Sequence, residues 1–187
     1  MKVLLICGSD QPISAGAADK AAAFFTAQGI ACDTVFVQPE TKGCTGCGKC
    51  WKKRACVIDD EVNRAAEMLK DAEGLMVVSP VYYGEPDRSV LNFMDRLMHC
   101  GADLCAFKPA VPVFSLRGTS AAKAQARMNE YFAYADMTVI THKNGYALKR
   151  EDDILVPAQR LAKLVRVLHT GNGCTEPEYI RELDYVR

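Results

Sequence analysis

The feature that most constrains this chain is the alternation of short apolar runs with longer segments of helical period. Val3 to Cys7 is a continuous apolar run that ends at Gly8. Ala31 to Val37 is β-branched, Leu75 to Val78 is wholly apolar, and Val111 to Leu116 and Met137 to Thr141 repeat the pattern. Short apolar runs of this kind read as strands buried on both faces of a parallel sheet. Between them lie segments of helical character. An alanine-rich one follows the loop from Gly8 to Gly16 and ends near Gln28, with Gly29 as its stop. Others run from the acidic Asp59-Asp60-Glu61 start to about Glu73, onward from an Asp87 cap, from Ala121 to about Ala133, and from Pro157 to Leu168. Val62, Ala65, Ala66 and Leu69 share one helix face, as do Val90, Leu91, Met94, Leu97 and Met98.

Strands separated by helices imply parallel βαβ units, and right-handed crossovers make the sheet doubly wound. The expected fold is therefore α/β: a doubly wound five-stranded parallel sheet, flavodoxin-like, in the order 2-1-3-4-5. With 187 residues the chain suits one domain, 1–187, carrying a cysteine-rich insert at 43–58 and an irregular tail from about 170. Lys plus Arg balances Asp plus Glu at 23 each, which gives no reason to expect a nucleic-acid partner. No apolar run approaches the length of a membrane span, so no membrane partner is expected. The first apolar run is too short for a signal-peptide core, and a cytoplasmic location is expected. Nine cysteines in a reducing compartment then point to ligands or buried thiols in place of disulfides.

Four of those cysteines, Cys44, Cys47, Cys50 and Cys56, fall within thirteen residues at gaps of two, two and five. Thiolate sulfur is a soft ligand, suited to zinc or to an iron–sulfur cluster. A structural zinc site usually pairs two Cys-x-x-Cys corners across a longer segment. The compact run here resembles a ferredoxin loop wrapped around a [4Fe–4S] cube. Gly43, Gly46 and Gly48 allow the tight turns such a loop needs. A redox thiol pair, disulfides and a vestigial loop remain as alternatives. Lys49, Lys52, Lys53 and Arg54 surround Trp51 in the same run, either as a solvated face or as a dock for an acidic electron carrier.

In a doubly wound sheet, ligands bind beyond the carboxyl ends of the strands at the switch point. That rule gathers the loops after the first, third and fourth strands. In the first, Ser9 and Ser14 precede a helix N-terminus, a natural anion site. The second reads Ser79-Pro80-Val81-Tyr82-Tyr83-Gly84, followed by Asn92-Phe93-Met94-Asp95-Arg96. These residues resemble the Ser-Pro-Val-Tyr-aromatic-Gly stretch and the following helix of the NADPH-dependent FMN reductase family. With the cysteine run and Asp59-Asp60, the resemblance is closest to the iron–sulfur flavoprotein branch. It covers roughly the first 140 residues.

The resemblance implies a flavin-dependent oxidoreductase that binds FMN. Ser79, Pro80, Val81, Tyr82 and Tyr83 would line the isoalloxazine, and Ser9, Ser14, Gly16 and Ala17 would meet the phosphate. Arg117 and Gly118 would approach from the third loop. Cys44, Cys47, Cys50 and Cys56 would hold a [4Fe–4S] cluster, with NAD(P)H or a small electron carrier such as ferredoxin as partner. The first loop departs from the family: Asp10-Gln11 stand where Pro-Arg is usual, and Ala17-Ala18 where Asn-Thr is usual. Asn92 replaces a customary lysine, and Asp95-Arg96 reads as a structural ion pair. A homo-oligomer, dimer or tetramer, is expected, with the sole tryptophan, Trp51, near its boundary. Rival readings are a cluster-free NAD(P)H-dependent FMN or quinone reductase, and a cysteine-based metal-binding or redox-sensing module without flavin. No catalytic side chain is assigned.

Overall fold

The computed structural model describes residues 1–8, 12–116, 118 and 120–170. Chain order runs β1 (Lys2–Gly8), α1 (Pro12–Ala27), β2 (Ala31–Val37), α2 (Cys50–Lys53), α3 (Glu61–Asp71), β3 (Gly74–Tyr82) and β4 (Glu85–Pro86). It continues with α4 (Arg88–Gly101), β5 (Pro109–Ser115), α5 (Ala122–Tyr134), β6 (Thr138–Val139), β7 (Tyr146–Leu148) and α6 (Leu155–Thr170). The sheet order is β2-β1-β3-β5-β6, with parallel pairing along this path. This is the expected flavodoxin-like order, since β4 is only the return arm of a hairpin on β3. The chain direction across the sheet reverses between β1 and β3, which places the switch point at their carboxyl ends.

Both faces of the sheet are covered. Val3, Leu5 and Cys7 of β1 pack with Ala17, Ala21 and Phe25 of α1 and Leu161 and Val165 of α6. Leu4 and Ile6 turn to the other face, against Val62 and Leu69 of α3, Phe93 and Leu97 of α4, and Met128 and Phe132 of α5. The period-two alternation of β1 is therefore real, but both faces are apolar because both are buried. Phe93 lies in the core face of α4 where the sequence pattern offered Leu91, which is half-buried at the edge.

Three boundaries differ from the sequence expectation. First, α1 starts at Pro12, so Ser14 and Gly16 belong to the helix, not to a loop. Proline is favoured at the first helical position, where its missing N–H costs nothing. Second, β3 runs through Ser79 and Pro80 to Tyr82 and turns at Tyr83-Gly84 into β4. Both turn residues have positive φ, 53° and 84°, as a two-residue type I′ hairpin requires. Third, the strand expected at Met137–Thr141 shrinks to β6 at Thr138–Val139, and a further strand not expected from the sequence, β7, follows at Tyr146–Leu148. β6 pairs with Pro109 and Ala110, and β7 with Val113 to Ser115, on the same edge of β5. The intervening segment leaves the sheet to cap α5, whose N-cap residue Ala121 donates its N–H to the Asn144 carbonyl at 2.9 Å. The tail expected beyond about 170 lies outside the described residues.

Candidate functional site

The cysteine loop leaves β2 at the carboxyl edge and is tied down at both ends. The Asn92 amide donates to the Thr41 carbonyl at 2.9 Å. Asn63 holds Cys56 from both sides, accepting its N–H at 2.8 Å and donating to its carbonyl at 3.1 Å. Gly46 and Gly48 have φ of +69° and +67°, the conformation the sequence required of them. Cys44, Cys47, Cys50 and Cys56 all line one cavity of about 110 Å³, together with Trp51 and, from α4, Arg96, His99 and Cys100. Cys44 and Cys47 are exposed at its mouth, and Cys50 and Cys56 are half-buried against the core.

The thiols differ in character. Hydrogen bonds from the Lys49 backbone and the Thr45 side chain hold the Cys47 thiol below its ordinary range. Burial pushes the Cys100 thiol up to about 12, so it stays protonated near neutral pH. The Gly46 N–H donates to Cys44 Sγ at 3.4 Å. Among the described residues, no three His, Cys, Asp or Glu side chains converge on a single metal-ion position. A cube asks for something else, because each thiolate binds a different iron corner. Four thiols around one cavity, with an amide and a guanidinium already aimed at two of them, fit such a group in kind.

Arg96 occupies a different place from the one expected. Its partner is Asp60, at 2.6 and 2.8 Å, not its neighbour Asp95. Asp95 instead accepts the Tyr131 hydroxyl at 2.6 Å. Arg96 is only 1% exposed. Burial works against its charge, yet hydrogen bonds to Asp60 and Cys56 outweigh this and hold its pKa above the ordinary value. The same Asp60 caps α3 by accepting the Val62 N–H at 3.1 Å.

Beside the loop lies the edge formed by β1, β3 and β5. Ser14 is buried in the first turn of α1, with its hydroxyl 2.9 Å from that of Ser115 at the end of β5. Gly16 is half-buried, and a side chain there would meet the Glu151 carboxylate. Ala17 is fully buried against the sheet. Ser79 and Pro80 are buried; the Ser79 hydroxyl donates to the Pro80 carbonyl and accepts the Asp87 N–H at 3.0 Å. Val81 is half-buried, and Tyr82 and Tyr83 project into solvent at 44% and 103% exposure. Gly118 is exposed. Gly8 lets this edge close, since a Cβ there would lie 2.7 Å from Val90 and 3.0 Å from Pro80. Ser9 and Arg117 lie outside the described residues.

A model of the family described as NADPH-dependent FMN reductase matches residues 1–148. The chain belongs to the NADPH-dependent FMN reductase family. Family membership supports FMN as the cofactor and flavin-dependent oxidoreduction as the class of chemistry. An iron-sulfur flavoprotein of Methanosarcina thermophila is 36% identical over 70 residues, which make up 37% of this chain and 37% of that protein. An iron-sulfur flavoprotein of Methanocaldococcus jannaschii is 35% identical over 57 residues, 30% of each chain. The matched part thus spans about a third of the length of these curated relatives. Among solved structures, the apo form of an NADH:FMN oxidoreductase aligns with a TM-score of 0.63 at 17% identity, over 95% of this chain and 92% of that one. A flavodoxin from the domain Archaea aligns with a TM-score of 0.59 at 15% identity, over 89% of this chain and 99% of the other. At such identities these structures speak to the fold, which is flavodoxin-like.

Within this member of the FMN reductase family, sequence reasoning missed three α4 residues of the cysteine cavity: His99, and the pair Arg96 and Cys100. The members of that pair stand one helical turn apart on α4, the spacing that places two side chains on one face. The i, i+4 relation was present in the sequence, but nothing local showed that this face meets the cysteine loop.

Proposed function

We propose that this chain is an FMN-dependent oxidoreductase in which FMN and a [4Fe–4S] cluster exchange electrons at the carboxyl edge of the sheet. The observation that carries the reading is the position of the cysteine cavity. Cys44, Cys47, Cys50 and Cys56 line one space, on a loop that leaves the sheet at the same edge as Ser79 to Tyr83. With FMN held by Ser14 and Ser79 to Tyr83 and a cluster held by Cys44, Cys47, Cys50 and Cys56, the flavin would supply two-electron chemistry with NAD(P)H and the cluster one-electron chemistry, which would couple a pair donor to a one-electron carrier.

The chain's own residues have defined tasks in this reading. Tyr82 and Tyr83 supply aromatic surface for a flat heterocycle. The N-terminus of α1 offers free N–H groups to the phosphate, with Ser14 beside them. Cys44, Cys47, Cys50 and Cys56 each supply one thiolate to the cluster, and Asn63, Asn92 and Arg96 hold their loop against α3 and α4. The exposed Lys49, Lys52 and Lys53 beside the cavity suit docking of a small acidic carrier such as ferredoxin.

Anaerobic purification followed by absorption spectroscopy and iron and sulfide assays tests the proposal. The expected result is flavin bands on a broad brown shoulder, with about four irons and four labile sulfides per chain. Flavin bands alone, without iron, would make the protein a cluster-free reductase.

A further inference from the structure

An arginine side chain has five N–H donors and no acceptor. All five of Arg96 are engaged. One Nη accepts no bond but donates twice, to the Lys42 carbonyl at 3.3 Å and to Asp60 at 2.6 Å. The other donates to the Ile58 carbonyl at 2.9 Å and to Asp60 at 2.8 Å. These four bonds clamp both ends of the cysteine loop to α4, and they need only the outer edge of the guanidinium. The fifth, Nε–H, points at Cys56 Sγ at 3.2 Å. That bond does nothing the clamp requires, and it ends on a sulfur facing the cysteine cavity. Arg96 is 1% exposed, so its charge is not screened by water.

We propose that Arg96 is the residue that sets the electron affinity of the cysteine site, by donating Nε–H to the Cys56 sulfur and placing a fixed cation against it. The inference rests on the cluster reading above. Hydrogen bonds to the ligand sulfurs and the local charge are the protein's main means of tuning an iron–sulfur potential. Taking up one electron makes the cluster more negative. A donor and a cation in contact with one of its thiolates favour that state. Asp60 fixes the guanidinium in place, while the positive group is the one in contact with the sulfur. Arg96 is therefore a positioning and tuning residue. It exchanges no proton and touches no substrate.

The experiment is a dithionite titration at controlled potential, followed by the electron paramagnetic resonance of the reduced protein, on the holoprotein and two variants. Arg96→Lys keeps a charge and loses the Nε–H donor; Arg96→Gln loses both. The reduced-to-oxidised ratio at a fixed potential should fall in both variants. In Arg96→Gln it should fall at least tenfold, equivalent to about 59 mV for one electron. Because either variant can fail to fold, wild-type protein labelled with nitrogen-15 in its arginines is measured as well. Pulsed resonance of its reduced cluster should show an arginine nitrogen coupling. Wild-type protein that binds no iron overturns the cluster reading, and this inference with it. A loaded cluster that shows no arginine coupling, or variants that keep both cluster and wild-type potential, overturns the inference alone.

Discussion

Asp60 and Arg96, 36 residues apart in sequence, form a two-pronged ion pair of 2.6 and 2.8 Å that ties the start of α3 to the middle of α4. The cysteine loop runs between these points, so the pair fixes the floor on which the cavity is built. Removing one partner of a buried pair strands the other. The variant Asp60→Asn, which keeps a good helix cap, should therefore lose about 3 kcal/mol of stability. Asp60→Ala should lose about 1 kcal/mol more, the usual worth of a cap. Urea unfolding of the cluster-free protein measures both. A loss below 1 kcal/mol in Asp60→Asn would mean the pair is dispensable.

Ser14 provides the test of the phosphate end. Its hydroxyl is buried at the entry to α1 and sits 2.9 Å from that of Ser115. In the proposed site it replaces the hydroxyl that Ala18 cannot supply. A hydrogen bond to a charged group is worth roughly 1.5–3 kcal/mol. FMN should therefore bind Ser14→Ala roughly ten- to hundredfold more weakly. Fluorescence titration of apoprotein with FMN gives the constant, and an unchanged value would remove Ser14 from the phosphate site.

How much of this was legible in advance depended on whether the signal was local. The parallel strands announced themselves because both faces are buried and their runs are wholly apolar. Asp60 and Asp87 could be read as helix caps, since a cap acts within three residues. Gly46 and Gly48 could be read as turn residues for the same reason. Pro12 is a local signal for the start of α1, and it puts Ser14 and Gly16 inside the helix. The break between β6 and β7 had a local signal in Asn144-Gly145, where Gly145 has a φ of 73° and donates its N–H to the His142 carbonyl at 2.8 Å. Arg96 had none. Its neighbour Asp95 looked like its partner, and only tertiary structure shows the carboxylate that reaches it.

Buried thiols give the protein an alkaline weakness. Burial raises Cys7 from 9.0 to about 12 and Cys105 from 9.0 to about 11. Below pH 9 both states keep these protons. As pH rises from 9 towards 12 the unfolded chain releases them while the folded chain holds them, so the unfolded state binds fewer protons and stability falls. Each thiol should cost about 1 kcal/mol by pH 10. Urea unfolding at pH 8 and pH 10 should show the loss, and Cys7→Ala should lose less between the same two values. An identical loss in that variant would exclude Cys7 as a source.

Cys47 separates the cluster from the flavin. It is exposed, and its thiol is held below the ordinary range by the Lys49 backbone and the Thr45 side chain. In cluster-free protein, iodoacetamide at pH 7 should therefore modify Cys47 before Cys7, Cys100 and Cys105, which peptide mass mapping would show. In loaded protein the same thiolate should be protected. Cys47→Ala should lose the brown chromophore and the iron while keeping FMN. Iron at the wild-type stoichiometry in that variant would show that the cysteines hold no cluster.

The last prediction concerns assembly. Trp51 is 78% exposed on the four-residue helix α2, so it does not fold back onto its own chain. It also lines the cysteine cavity. A large aromatic side chain left in solvent beside a redox site suits burial by a second copy, where such residues carry much of the binding energy. The expected species is a homo-oligomer built on dimers, with the cavity close to the subunit boundary and shielded by it. Truncating an interfacial hot spot costs about 2 kcal/mol or more. Trp51→Ala should thus raise the dimer dissociation constant about thirtyfold, as sedimentation at micromolar concentration would show. Monomeric mass for protein with its full cofactor content would defeat the proposal. A dimer that keeps its affinity in Trp51→Ala would leave the assembly standing and place its boundary elsewhere.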